Sequence, residues 1–170
     1  PRQCPETGTE GKDGREADGT VNGAALPAIL HQEDLNALEQ ALTIRDRREG
    51  SEVYILTRGP VRAADIIRDA MFRGADGRSL VTDRAFAGAD TLATSYALSR
   101  ALKEIKPDII VAGRQAIDGD TAQVGPQVAE KPGLPQVTYA AHIVRTHDKD
   151  IVITRRLDNG VDTVASPYPM

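Results

Sequence analysis

The chain contains no tryptophan, and aromatic residues make up only 4% of its 170 positions. That excludes a fold or a binding face built on stacked rings, including the aromatic platforms on which single-stranded nucleic acids lie. A single cysteine, Cys4, can neither close an internal disulfide nor frame a zinc site alone. Positive charge is not in excess: 21 Lys and Arg stand against 25 Asp and Glu, a net charge of −4. An overall cationic footprint for nucleic acid or for an anionic membrane is therefore missing. No apolar run approaches the roughly 18–20 residues that a membrane span takes, and Pro1 is not followed by the apolar stretch of a signal peptide. These absences lead to the expectation of a soluble protein of a reducing compartment, the cytoplasm, with no nucleic-acid partner and no membrane span.

What is present is patterned. Pro1 to Ala25 is rich in Gly, Asp, Glu and Thr and has almost no apolar periodicity, so residues 1–25 are expected to be a solvated loop or hairpin leader. From Glu33 onward Leu35, Leu38 and Leu42 lie at helical spacing, with Arg45, Arg47 and Arg48 crowding the C-terminal end, where cations suit the helix dipole. Gly50 stops this helix. Val53–Thr57 is a short apolar run of the kind found in strands covered on both faces. The cycle then repeats. Pro60 opens a helix with an apolar stripe of Ala63, Ile66, Ile67, Ala70 and Met71; Gly74 ends it, and Ser79–Thr82 reads as a strand. A third helix is expected from Asp90 to Lys106 with Leu92, Tyr96, Leu102 and Ile105 on its buried side, followed at Pro107 by a strand over Asp108–Ala112.

Helix-then-strand units with short connections predict an α/β fold: a parallel sheet with helices on both faces. A fourth helix is expected over about Thr121–Lys131. Strand-like runs at Val137–Val144, Ile151–Arg156 and Val161–Ala165 then predict an antiparallel extension, the last two joined through Asp158-Asn159-Gly160, a strong hairpin signal.

The segment richest in chemistry is Gly113–Pro126, which leaves a predicted strand and opens into a helix. Carboxyl ends of strands are where parallel α/β sheets bind ligands. Asp120 and Gln123 have the spacing of a capping box, and Gly119 permits the backbone angles of a tight turn. First-turn N–H groups with the Thr121 hydroxyl can cradle a pyrophosphate, and Arg114 can add charge. The same residues also read as a polar connection with a good cap, since neither a Walker A loop nor the spaced glycines of a dinucleotide fingerprint is present. Asp83–Thr91 is a second such loop; its Ala85, Ala87, Gly88 and Ala89 allow close approach, Asp90 or Thr91 can cap, and Thr91 and Thr94 offer hydroxyls. His31 reads as a local cap. No pair among His31, His142 and His147 has metal-ligand spacing with a carboxylate, no Ser or Cys sits in a nucleophile elbow, and no acid/base pair is evident.

Gly113-Arg114-Gln115-Ala116-Ile117-Asp118-Gly119-Asp120-Thr121-Ala122-Gln123-Val124-Gly125-Pro126 closely resembles the characteristic loop of electron transfer flavoprotein beta subunits, and Asp83–Ser95 resembles a segment typical of their electron-bifurcating branch. Asn36–Glu39, Leu56–Pro60, Gly74–Asp76 and Leu134–Tyr139 extend the resemblance across about Leu26 to Tyr139. The resemblance implies a Rossmann-like adenine-nucleotide-binding fold that works as a heterodimer with an alpha subunit and exchanges electrons with a flavin-containing dehydrogenase, of the acyl-CoA type or another. It implies an electron carrier more than a classical enzyme, holding either AMP or, in the bifurcating branch, FAD that accepts a hydride from NADH. Carried over by position, the cofactor pocket comprises His31, Asp34, Arg58, Asp90, Thr91, Thr94, Gly113, Arg114, Gln115, Ala116, Asp118, Gly119, Asp120, Thr121, Ala122, Gln123 and Val124.

Two departures stand out: His31-Gln32 replaces a usual Asn-Pro, and Arg58 replaces a residue that is often small or apolar. Arg2–Thr7 resembles the segment that follows the family's first strand, so residues 26–170 are expected to form a nucleotide- or flavin-binding domain incomplete at both ends, without that strand and without the C-terminal arm. A different class of protein, a non-redox adenine-nucleotide-binding regulatory module, would use the same loop.

Overall fold

The computed structural model describes residues 3–5, 28–116 and 119–170. A short antiparallel pair comes first, β1 (Gln3–Pro5) against β2 (Ala28–Leu30); residues 6–27, most of the expected leader, lie outside the described residues. Then α1 (Gln32–Arg47), β3 (Tyr54–Arg58), a 3₁₀ turn at Val61–Ala63 leading into α2 (Ala64–Phe72), and β4 (Gly77–Val81) form one right-sized α/β unit. β3 and β4 pair in parallel with Tyr54 opposite Gly77 and Arg58 opposite Val81. After a 3₁₀ turn at Arg84–Phe86, α3 (Thr91–Ile105) and α4 (Val124–Glu130) follow. The chain ends in the antiparallel sheet β5 (Ala140–Thr146), β6 (Asp150–Leu157) and β7 (Gly160–Pro167), ordered β5-β6-β7.

The apolar stripes explain the layering. Leu30, Leu38, Val53, Ile66, Ala70 and Ala75 form a buried cluster, with Leu35, Ala41, Leu42, Ile55 and Met71 packed around it. One face of β3 is thus covered by α1 and α2. Alternate residues of a strand point to opposite faces, and on the other face Arg58 reaches Thr94 of α3. Helices therefore cover both faces of the parallel pair. Arg45 at the end of α1 ties the unit together: it donates to the Gly74 carbonyl at 2.5 Å and pairs with Asp76 at 3.3 Å, while Asp76 also accepts from the Val53 amide at 2.8 Å. The Val53 amide and Arg45, working against the cost of desolvation, hold the Asp76 carboxyl below its ordinary range. In the antiparallel sheet, Ile151, Val152 and Ile153 of the central strand are all buried, and Asp158-Asn159 makes the two-residue connection between Leu157 and Gly160.

Three sequence expectations are corrected. Asp108–Ala112 is not a strand of the parallel sheet: among the described residues β3 and β4 pair only with each other, and the segment instead hydrogen-bonds to the chain end, Ile110 N–H to Met170 O at 2.7 Å and Met170 N–H to Asp108 O at 3.1 Å. Apolar residues favour an extended chain, but a strand exists only where a neighbour supplies the ladder. The fourth helix starts at Val124 rather than Thr121, because Asp120 (φ 45°) and Ala122 (φ 51°) are left-handed and cannot continue a helix. Pro126 then falls within the first turn, where its missing N–H costs nothing. The third error is one of face: Leu92 and Tyr96 of α3 are exposed, whereas Thr94, Ser95 and Ser99 are buried.

Candidate functional site

The carboxyl end of β3 meets the start of α3 through Arg58 and Thr94, and the starts of α1 and α3 have local causes. His31 caps α1, its Nδ1 accepting from the Glu33 amide at 3.3 Å, the role its position suggested; it is also buried. Asp90 caps α3, accepting from the Ala93 amide at 2.8 Å. Asp83 likewise accepts from the Ala85 amide at 2.9 Å and begins the turn that carries Phe86. The carboxylates of these loops are thus committed to backbone amides, which removes much of their objection to a nearby anion.

The Gly113–Val124 loop is held at both ends. At its start, Asp34 Oδ1 accepts from the Gly113 amide at 3.2 Å, and Glu33 accepts from the Gln115 amide at 2.6 Å and pairs with Arg114 at 3.2 Å. Desolvation raises the Glu33 carboxyl, but the Gln115 amide and the Arg114 guanidinium together outweigh it, so Glu33 lies below its ordinary value. The Arg114 guanidinium also sits over the Tyr139 ring, 5.8 Å from its centroid. In the middle, Gln115 Nε2 donates to Asp120 Oδ1 at 3.0 Å and the Asp120 amide to Ala116 O at 2.9 Å. The expected Asp120–Gln123 capping box does not form, since the left-handed Asp120 turns its carboxylate toward Gln115. At its far end, Thr91 Oγ1 donates to Gln123 Oε1 at 3.0 Å, and one turn on Ser95 Oγ donates to Gln127 Oε1 at 3.0 Å.

Arg58 closes the arrangement. Its Nη1 donates to Thr94 Oγ1 at 3.1 Å, its Nη2 donates to the Phe86 carbonyl, and its guanidinium lies over the Phe86 ring, 5.2 Å from the centroid. Its Nε is fully shielded and bonds to nothing among the described residues.

The structure accordingly brings His31, Asp34, Gly113, Arg114 and Gln115 into one connected group, Arg58 and Thr94 into a second, and Thr91 with Gln123 into a third; Ala116 and Asp120 belong to the loop that joins the first to the last. Gly119, Thr121 and Ala122 lie in the same loop, Thr121 exposed and Ala122 half-buried, and Val124 opens α4. Asp118 lies outside the described residues. Glu33 lies within the His31–Asp34 segment that the resemblance implied, whereas sequence reasoning missed Phe86, Ser95, Gln127 and Tyr139. One signal was available: Thr91 and Ser95 are four apart, as are Gln123 and Gln127, so each pair shares a helix face and the two faces match as a hydrogen-bonded ladder. Two grooves lie elsewhere, one of about 270 Å³ between α1 and β5 and one of about 440 Å³ between α2 and β4. Among the described residues there is no cluster of His, Cys, Asp and Glu fit to hold a metal ion and no helix long and apolar enough to cross a membrane.

These features define a class: an α/β domain in which the loop that leads into α4 is gathered against the starts of α1 and α3. The chain belongs to the electron transfer flavoprotein family, whose Electron transfer flavoprotein domain matches residues 18–170. It is 42% identical over 169 residues to the caffeyl-CoA reductase-Etf complex subunit CarD of Acetobacterium woodii, covering 99% of this chain and 63% of that protein. It is 45% identical over 151 residues to an electron transfer flavoprotein subunit beta of Thermoanaerobacterium thermosaccharolyticum, covering 89% and 57%. It is 46% identical over 157 residues to protein FixA of Azorhizobium caulinodans, covering 88% and 56%. The chain thus spans 56% to 63% of the length of these relatives.

Proposed function

We propose that the chain is the nucleotide-holding part of an electron transfer flavoprotein beta subunit of the bifurcating type. It takes FAD in the Gly113–Val124 loop, works as a heterodimer with an alpha subunit, and passes electrons between NADH and dehydrogenases of the acyl-CoA or a related class. The observation that carries the reading is the double anchoring of that loop, to Glu33 and Asp34 at one end and to Thr91 at the other. Bracing of this kind fixes the entry and the exit of the loop, which is what recognition of a nucleotide by main-chain groups asks for. The names of the relatives, which include a reductase-Etf complex subunit and an electron transfer flavoprotein subunit beta, favour the electron-transfer role over a non-redox regulatory module.

The residues fit such a group. The acids nearby accept from backbone amides, and the guanidinium at the end of β3 has an unused donor. Bound FAD supplies one- and two-electron chemistry that no side chain here can. The chain's own residues bind and orient: Asp34 and Glu33 fix the entry of the loop, Thr91 and Gln123 fix its exit, and Arg58 places positive charge beside Thr94 on the first turn of α3. Few aromatic rings are available for stacking, so the ring system is held by backbone, hydroxyls and the alpha subunit.

The test is to co-express the full-length gene with its alpha partner and to count nucleotides per heterodimer. Two FAD, with flavin reduction on addition of NADH, is the expected outcome. One FAD with one AMP would overturn the bifurcating assignment and leave a conventional subunit with AMP in the same loop.

A further inference from the structure

Arg58 stands out among the charged groups of the described residues. It is half-buried, it makes no ion pair among them, and both of its bonded nitrogens donate to neutral acceptors, the Thr94 hydroxyl and the Phe86 carbonyl. Its third donor, Nε, is shielded from solvent and bonds to nothing among them. The two acids of the adjoining loop do not compensate it by bonding: Asp83 and Asp90 each accept from a backbone amide instead. A guanidinium withdrawn from water normally finds a carboxylate or a phosphate, because neutral acceptors recover only part of its hydration. Arginine at such a position also differs from lysine in presenting a planar fork that can turn from one acceptor to another without leaving its stacking partner, and here the Phe86 ring keeps the plane in place.

We infer that Arg58 reads the phosphate charge of the nucleotide, exchanging the Phe86 carbonyl and the Thr94 hydroxyl for a phosphate oxygen when the nucleotide enters. The inference rests on the proposed nucleotide site and adds to it a specificity: the site prefers ligands with more phosphate charge, and Arg58 is the residue that makes the difference. Arg58 sits at the last position of β3, opposite Val81, on the side of the strand that meets α3. A phosphate there also lies near the positive end of the 15-residue α3, which favours it further.

The experiment compares adenosine with ADP. The full-length heterodimer is freed of bound nucleotide, and calorimetric Kd values for both probes are measured in the parent protein, in Arg58→Met and in Arg58→Lys, at low and at moderate salt. Methionine keeps a flat apolar contact with Phe86 and so preserves the packing. Expected is a loss of at least tenfold in ADP affinity for Arg58→Met with adenosine affinity within twofold of the parent. Arg58→Lys should recover part of the loss, and the salt dependence of ADP binding should be weaker in Arg58→Met. Equal effects on adenosine and ADP, or no effect on either, would overturn the inference while leaving the nucleotide site standing. Failure of the parent heterodimer to bind either probe would overturn both.

Discussion

Gly113 approaches the start of α1 so closely that any side chain would collide with it. A Cβ there would lie 2.7 Å from Asp34 Oδ1 and 3.0 Å from both the Asp34 nitrogen and the Glu33 carbonyl carbon. Two of these three atoms are backbone, so no rotamer change relieves the contact. Gly113→Ala is expected to lower stability by about 1–3 kcal/mol, as overpacking does, seen as a lower urea midpoint, and to weaken adenosine binding because the loop entry shifts. Glu33 makes a second case. Its carboxyl lies below the ordinary value of 4.5, against desolvation and through the Gln115 amide and Arg114. A carboxyl depressed by folding stabilises fully above its unfolded value and loses that contribution as pH falls through the folded one. Glu33→Gln should therefore cost about 1 kcal/mol at pH 7, given a charge-assisted bond partly screened by the half-exposed Arg114. The difference from the parent should shrink as urea unfolding is repeated from pH 5 down to about pH 3. A difference that stays constant over this range would assign the loss to shape instead of charge.

At the scale of elements, α3 is instructive because its periodicity points the wrong way. Leu92 and Tyr96 are the large apolar residues of its first turns, yet they are more than half exposed, at 57% and 58%. The buried line is Thr94, Ser95 and Ser99, and the Ser95 hydroxyl, at 0% exposure, lies within hydrogen-bond distance of Leu92 O and of Gln127 Oε1 of α4, its one proton shared between them. Small polar residues let the helix approach its neighbours closely, and their hydroxyls are satisfied by the helix's own carbonyls. Ser95→Leu should thus cost about 2–3 kcal/mol by overpacking the α3–α4 contact, whereas Leu92→Ser should stay within about 0.5 kcal/mol in the isolated chain. Thermal unfolding of the two variants side by side checks the order. By contrast α2 behaves as its stripe says: Ile66 is 2% exposed, and Ile66→Ala should cost about 2–5 kcal/mol.

At the scale of the whole molecule, the end of α1 is joined to the antiparallel sheet through an exposed ion pair. Arg48, just beyond α1, donates to the His147 carbonyl at 2.7 Å and pairs with Asp148 at 3.1 Å, reaching the β5–β6 turn. Asp148 is 96% exposed, so the pair adds little to global stability. Arg48→Ala should leave the unfolding midpoint nearly unchanged while the His147 amide, bonded to Asp150 O, exchanges faster with solvent and the Ile66 amide does not. Faster exchange at both sites would mean that the two sheets unfold as one unit. Much of this architecture was legible in the sequence: α1, α2 and α3, the β3–α2–β4 crossover, and the β6–β7 hairpin all follow from apolar spacing and turn residues within a short window. The site was legible as a list of loops but not as a set of bonds, and the third strand and the start of α4 were misplaced.

What the sequence determined by itself is whatever depends on neighbours along the chain: helical and strand periods, the His31 cap, an α3 cap at Asp90 or Thr91, and the family to which the Gly113–Pro126 segment belongs. Only the tertiary structure decided which groups meet. Arg58 and Thr94 are 36 residues apart, Glu33 and Gln115 are 82 apart, and Ser95 and Gln127 are 32 apart. Whether an extended run such as Asp108–Ala112 becomes a strand likewise depends on a hydrogen-bonding partner elsewhere in the chain, and here the partner is Met170. Local pattern sets the conformation a segment prefers; the acceptor that satisfies a buried donor comes from packing, and along a chain of 170 residues no spacing rule specifies it.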